Sequence, residues 1–156
     1  MTRAGRVTLA SGFLVALGVL VAAAPAGAPA AQSPARMTVY KDPNCGCCSA
    51  WIDHMRRHGF QVTARDTSDV AAIKRAARVP QTLYSCHTAF VGGYVVEGHV
   101  PAGDVQRMLN QKPRVAGIAV GGMPIGSPGM EQGNRVDRYD VMEFTRDGTT
   151  RVFVRH

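Results

Sequence analysis

The sequence predicts an α/β domain with a Gly/Pro/Met-rich loop and a C-terminal β-hairpin. Two observations support this fold class. Short segments with strand patterns alternate with amphipathic helical segments over residues 37–112. The first strand, helix and strand follow one another closely, which is typical of a parallel βαβ unit. The chain of 156 residues has a suitable length for one such domain.

The N-terminal segment has the layout of a secretory signal peptide. Arg3 and Arg6 form a basic start, residues 7–24 are mostly apolar and uncharged, and small residues and prolines follow. Residues 28–30 read Ala-Pro-Ala, which is a candidate cleavage site. An uncleaved membrane anchor is the alternative, because an apolar run of about 18 residues is near the lower limit for spanning a bilayer.

These features give a simple domain organisation. We expect a signal peptide at residues 1–30, a linker at residues 31–36 and a mature domain at residues 37–156. The formal net charge is +7 for the whole chain, and removing the two N-terminal arginines leaves +5. The densest basic group is Lys74, Arg75 and Arg78, whose helical spacing favours a solvated helix face over a nucleic-acid footprint. We therefore expect no nucleic-acid partner and no membrane contact after cleavage.

Each element predicted before residue 113 has a local signal. The strands are short and apolar or alternating, and the helices lie between a capping residue or proline and a glycine or proline stop. In chain order they are a strand at 37–41, a helix at 48–59, a strand at 60–64, a helix at 68–79, a hairpin at 88–98 and a helix at 101–112.

The composition changes after residue 112. Residues 117–133 contain six glycines, two prolines and two methionines, so we predict a loop there and exclude a regular helix or a central strand. Long loops of this kind are usually functional or disordered. Residues 139–156 then read as a closing hairpin around Asp147 and Gly148.

The four cysteines are Cys45, Cys47, Cys48 and Cys86, and three roles are open for them. The first is structural, because cysteines of exported proteins often form disulfides. A bridge between Cys45 and Cys48 would contribute about 2 kcal/mol, and one that closes a loop of about forty residues would contribute about 4 kcal/mol. Crowding three cysteines into four positions is therefore a poor way to gain stability.

The second role is redox chemistry. Cys45 and Cys48 form a CxxC between the first strand and the first helix, which is the thioredoxin-like arrangement. Pro80 could then take the place of the cis-proline that faces the CxxC in that fold. The helix N-terminus lowers the pKa of such thiols and favours thiol–disulfide exchange. Cys47 argues against a simple dithiol, because it offers a competing partner.

The third role, a soft-metal site, uses all three sulfurs of the motif, and Cys86 offers a further one. Thiolates select Cu(I), zinc or iron–sulfur clusters, and the thioethers of Met123 and Met130 favour Cu(I) over zinc. His87 and His99 lie near Cys86 in the sequence. Zinc stays open, since four thiolates or three thiolates and an imidazole satisfy it. Bridging thiolates would allow more than one ion.

The sequence resembles the CopG-type periplasmic copper-resistance family, a family with a CxCC metal-binding motif. The resemblance covers about residues 37–156. The matching segments are CGCCSAWIDHM, GFQV, VPQTLYSCHTAFVGGYVVEGHVPAGDV, GMPIGSPGME and YDVMEF. One departure is visible: the family pattern V-P-G-M-P reads V-G-G-M-P here, at residues 120–124, which loosens the expected placement of Met123.

The resemblance implies a thioredoxin-like fold, a periplasmic location and binding of several Cu(I) ions as a cluster. It also implies possible partners among other periplasmic copper-handling proteins. The implied ligands are Cys45, Cys47, Cys48 and Cys86, with Met123, Met130, His87 and His99 as further donors. We therefore expect an exported protein that sequesters Cu(I), with zinc as the less favoured metal. A thiol–disulfide or copper oxidoreductase and a copper chaperone are the alternatives.

Overall fold

The computed structural model describes Met1 and residues 34–156. The predicted signal peptide beyond Met1, its cleavage site and the anchor alternative lie outside the described residues. Among the residues that are described, no helix combines the length and the hydrophobicity needed to cross a membrane.

The α/β class is confirmed, and the predicted order of strand, helix, strand, helix, hairpin and helix holds. The thioredoxin-like assignment stays a prediction. A short 3₁₀ helix at Gln81–Leu83 follows the second α-helix. In chain order the strands and α-helices are β1 Arg36–Lys41, α1 Gly46–Arg57, β2 Gln61–Asp66, α2 Val70–Ala76, β3 Thr88–Val91, β4 Tyr94–Glu97, α3 Ala102–Gln111, β5 Gly117–Ala119, β6 Asp140–Phe144 and β7 Thr150–Arg155.

The strands form one seven-stranded sheet with the order β2-β1-β3-β4-β5-β6-β7. β1 and β2 are parallel, as the βαβ prediction requires, and β3 is antiparallel to both β1 and β4. β5 is parallel to β4, and β6 and β7 form the predicted closing hairpin. In the pairing of β1 with β3, Tyr40 lies opposite Thr88, so the residues after β1 and those before β3 meet at one edge of the sheet.

β5 overturns one prediction. The exclusion of a central strand from residues 117–133 is wrong for the first three of them, because β5 lies between β4 and β6. A Cβ added to Gly117 would be 2.1 Å from the carbonyl oxygen of Val95. Glycine is therefore required here for β5 to approach β4, and close approach of another backbone is one of the known reasons for glycine inside a strand.

The buried face of α1 follows from its apolar spacing. Cys48, Trp51, Ile52 and Met55 recur at helical intervals and are all buried, so the helix turns one stripe toward the sheet. The main core consists largely of this stripe packed against buried residues of the sheet. Those sheet residues include Met37, Val39, Ala89, Val91, Val96, Ile118 and Val141.

α2 overturns a second prediction. Arg75 and Arg78 are exposed as a solvated face requires, but Lys74 is only 5% exposed. Its Nζ lies 2.6 Å from Oε1 of Glu97 on β4, and Glu97 is completely buried. The spacing of three basic residues did not reveal this pair, because the partner lies 23 residues further along the chain.

Candidate metal site

The four cysteines converge at the edge of the sheet where β1 ends and β3 begins. Cys45 caps α1, and its Sγ accepts a hydrogen bond from the backbone N–H of Cys48 at 3.3 Å. Cys47 and Cys48 lie in the first turn of the helix, and Cys86 comes two residues before β3. The ligand atoms of all four lie within 4.8 Å of one another. The structure thus brings together the whole cysteine set that the sequence singles out.

The sulfurs are not equivalent in this state. Cys45 and Cys48 form a disulfide, and Cys47 and Cys86 are free. The Sγ of Cys47 lies 3.5 Å from that of Cys45 and 3.7 Å from that of Cys86. Two-electron reduction of the disulfide is therefore required before all four sulfurs can act as thiolate donors.

The four cysteines differ in their burial, which also affects the pKa of the free thiol of Cys86. Burial, together with the neighbouring thiol of Cys47, raises the pKa of Cys86 to about 11. Cys86 is therefore protonated at neutral pH, and a metal ion that binds it must displace the proton. Cys48 is completely buried, whereas Cys45 and Cys47 are partly exposed, so the cluster opens to solvent on their side.

His99 is oriented toward the cluster by a backbone carbonyl. Its Nδ1 lies 2.9 Å from the carbonyl oxygen of Pro128, which can only accept, so Nδ1 carries the hydrogen. Burial lowers the pKa of His99, which favours the neutral ring. Its Nε2 therefore presents a lone pair 3.3 Å from the Sγ of Cys86. Metal-binding histidines are commonly oriented in this way.

His87 is a buried imidazole. It is completely buried, and among the residues that the structure describes neither of its ring nitrogens has a hydrogen-bond partner. Its ring lies 4.3 Å from that of Trp51 and 5.1 Å, edge-on, from that of His99, measured between centroids. Burial lowers its pKa well below the usual value, with the nearby His99 and Lys74 adding to the effect. Such orphaned nitrogens are costly unless they bind something.

The aromatic residues Trp51 and Tyr84 have different places around the site. Trp51 is buried, and its indole N–H donates to the carbonyl of Val100 at 2.9 Å, which fixes the ring that covers His87. Tyr84 lies instead against the ammonium of Lys74, 5.8 Å from its ring centroid. Trp51 therefore contacts His87 in the site, whereas Tyr84 packs against Lys74.

The Gly/Pro/Met-rich loop flanks the cluster on two sides. A Cβ added to Gly129 would be 2.7 Å from the carbonyl oxygen of Cys47 and 2.8 Å from the backbone nitrogen of Trp51, so the loop touches the first turns of α1 there. Met130 follows this contact and is partly buried. Met123 follows Gly122, whose backbone N–H donates to the carbonyl of Tyr84 at 3.0 Å. Met123 itself is 54% exposed.

Two features of the site differ from the sequence analysis. The described residues contain no cis peptide bond, so Pro80 does not supply the expected cis-proline. It precedes the 3₁₀ helix that leads to Cys86. Pro128, whose carbonyl orients His99, is a further residue of the site that the sequence did not indicate. A backbone carbonyl leaves no signal in the identity of its residue, so only the folded chain reveals it.

The fold and these side chains define a class: an α/β domain with a thiol-rich site suited to a soft metal. Comparison with solved structures narrows this class. Two structures, named "Copper resistance protein copG- Form 2" and "Copper resistance protein copG- Form 1", are each 44% identical to the chain. Each match covers 79% of this chain and 98% of the other, with TM-scores of 0.76 and 0.75. The chain therefore belongs to the CopG family of copper resistance proteins.

A family model matches part of the chain. Residues 83–130 match a family model described as "Protein of unknown function, DUF411". That span contains Cys86, both candidate histidines and both loop methionines, but not the CxCC motif. No curated protein matches the chain. The resemblance drawn from the sequence is thus confirmed, and the family and the cysteine cluster together support a copper-related function.

Proposed function

We propose that this protein sequesters Cu(I) through the sulfurs of Cys45, Cys47, Cys48 and Cys86. The convergence of these four ligand atoms within 4.8 Å carries the proposal. Thiolates are soft donors that select Cu(I), and neighbouring thiolates can bridge two ions. Relatives that are named copper resistance proteins favour copper over zinc as the cargo.

The residues around the sulfurs supply the rest of the chemistry. His99 is a fifth donor, because its Nε2 already faces Cys86. The buried, unpartnered nitrogens of His87 make it the next candidate. Met130 and Met123 are outer donors that the loop could bring to ions on the exposed side.

The site works only in its reduced state. With Cys45 and Cys48 joined, two thiols remain, and the protein can hold fewer ions. A dithiol reductant that attacks Cys45, the more exposed sulfur of the pair, would restore all four donors. Copper capacity therefore depends on the thiol–disulfide balance of the compartment.

A thiol–disulfide oxidoreductase is the second candidate function. The observation that favours it is the disulfide itself, in which Cys45 is partly exposed and Cys48 is buried. Such asymmetry suits exchange with a partner. In this function Cys47 has no necessary part, whereas sequestration needs it. The two candidates therefore differ most clearly at Cys47.

The same residue gives the test. Cys47→Ser should lower the number of Cu(I) ions that the anaerobically reduced protein retains against a Cu(I) chelator, and Cys45→Ser should lower it as well. Retained copper and zinc are measured by metal analysis together with a thiol count. If Cys47→Ser leaves copper binding intact while Cys45→Ser abolishes disulfide reductase activity, the protein is an oxidoreductase and the sequestration function is wrong.

We also propose that the protein acts in the periplasm, where other copper-handling proteins would deliver or receive the ions. The layout of residues 1–30 supports export, with cleavage before the linker at residues 31–36. Mass spectrometry of the protein from a periplasmic fraction should give a chain that starts near Ala31. A full-length chain in the membrane fraction would instead favour the anchor.

A further inference from the structure

A buried ion pair lies directly behind the segment that carries Cys86. Lys74 of α2 and Glu97 of β4 are 5% and 0% exposed, and their charged groups are 2.6 Å apart. No candidate donor of the site belongs to this pair. Its placement next to the cluster raises the question of what a buried charge contributes there.

The Glu97 carboxylate holds both ends of a four-residue segment. Its Oε1 accepts a hydrogen bond from the backbone N–H of Ser85 at 2.7 Å, and its Oε2 accepts one from the hydroxyl of Thr88 at 2.7 Å. Lys74 also donates to that hydroxyl, at 3.1 Å. Cys86 and His87 are the two residues between these anchors. One carboxylate thus accepts from the backbone on one side of a candidate ligand and from a side-chain hydroxyl on the other.

Stability alone does not account for such a pair. Replacing a buried ion pair with apolar residues of similar volume is often neutral or stabilising, because desolvation offsets the attraction between the charges. An apolar pair could fill the same space. It could not accept the N–H of Ser85, nor orient the hydroxyl of Thr88. What the charged pair adds is therefore the geometry of the Cys86 segment.

We propose that Lys74 and Glu97 are positioning residues that hold the thiol of Cys86 in reach of Cys47 and His99. The distances that they maintain are 3.7 Å to the Sγ of Cys47 and 3.3 Å to the Nε2 of His99. A second link ties the segment to the loop, since the hydroxyl of Ser85 donates to the carbonyl of Gly122. The proposal deepens the copper function and rests on it for its biological meaning, but the positioning is testable without copper.

The test uses disulfide formation between Cys47 and Cys86 as a measure of their proximity. In a Cys45→Ser/Cys48→Ser background these two thiols are the remaining cysteines of the chain, and diamide oxidises them to a disulfide while it is reduced to the hydrazine. Adding Lys74→Met/Glu97→Leu should slow this reaction about tenfold, because disulfide formation depends strongly on the relative placement of the two sulfurs. Mass spectrometry after alkylation gives the rate.

A matched control comes from the far end of the sheet. Glu143 of β6 is largely buried and pairs with Arg151 of β7. Glu143→Leu/Arg151→Met also removes the ion pair of a largely buried glutamate, here with an exposed arginine, and it should leave the rate of disulfide formation unchanged. Urea unfolding and circular dichroism of both double variants show whether each is folded. A slowed reaction in the Glu143 variant as well would assign the effect to general destabilisation and overturn the proposal.

A second variant keeps the test decisive if Lys74→Met/Glu97→Leu does not fold. Lys74→Met/Glu97→Gln keeps the size of the Glu97 side chain, leaves no unpaired buried charge and replaces a charged acceptor with a weaker neutral one, so it should slow the reaction severalfold. An unchanged rate in a folded Glu97 variant contradicts positioning. Because no copper is present, this failure is distinguishable from a failure of sequestration, which would appear as loss of copper binding with the proximity of the two thiols intact.

Discussion

The candidate site has two walls, which are built in different ways. The cysteine wall consists of residues 45–48 and Cys86, and the loop wall consists of residues 121–133. Regular structure forms the cysteine wall: the pairing of β1 with β3 brings the start of α1 beside Cys86. Backbone turns form the loop wall, where glycines with positive φ, such as Gly122 and Gly129, allow residues 121–133 to fold back on α1. The sheet therefore sets the distances between the sulfurs, while the loop sets the orientation of His99 through the Pro128 carbonyl.

Removing a thiolate from the cysteine wall should weaken Cu(I) binding far more than removing a thioether from the loop wall. Cys86→Ser should lower Cu(I) affinity about 100-fold or more, because even changes outside the ligand shell commonly cost 10–100-fold in metal affinity. Competition with a Cu(I) chelator under anaerobic conditions measures the change. Met123→Leu is the matched control, because its side chain is 54% exposed. Equal losses in the two variants would remove the distinction between the walls.

The loop wall can be displaced by adding one methyl group. Gly129→Ala should destabilise the protein by about 3 kcal/mol, because φ is +83° and the new Cβ would meet backbone atoms of Cys47 and Trp51. Gly133→Ala has a similar strain at φ +57° but no neighbour within 4 Å, so it should cost about 1 kcal/mol. Urea unfolding measures both values. Identical losses would mean that the loop does not press on α1.

Much of the cysteine wall could be predicted from the sequence. The CxCC motif lies at a strand–helix junction that local signals locate well, and a hairpin signal follows Cys86 directly. β5 escaped prediction because Gly117 is required by contact with β4, which no local pattern encodes. Lys74 escaped it because burial of a lysine depends on a distant glutamate. What could not be predicted depends on long-range contacts.

His87 packs against Trp51 and His99, and its burial should make stability depend on pH. Its folded pKa is well below the unfolded value of about 6.5, so its contribution is present above pH 6.5 and lost as the pH falls below it. Between pH 7 and pH 5 the free energy of unfolding of the protein should fall by about 2 kcal/mol more than that of the His87→Leu variant. Unfolding curves at several pH values give the difference. Parallel pH profiles for the two proteins would contradict the buried neutral ring.

The smallest expected effect concerns the loop methionines. Met130→Leu should weaken Cu(I) binding by about threefold, or about 0.7 kcal/mol, because a thioether is a weaker donor than a thiolate and the residue follows the Gly129 contact. Met123→Leu should change it less. The same chelator competition resolves the two. A larger loss for Met123→Leu would show that the loop moves its exposed end to the ions.

Sequestration by four sulfurs is tested most directly by counting copper in two redox states. The mature protein is reduced under anaerobic conditions, or oxidised to the Cys45–Cys48 disulfide, and then titrated with Cu(I) against a chelator. We predict that the reduced protein retains more than one Cu(I) per chain and that the oxidised protein retains fewer. Equal retention in both states, or no retained copper in the reduced protein, would contradict the proposed function.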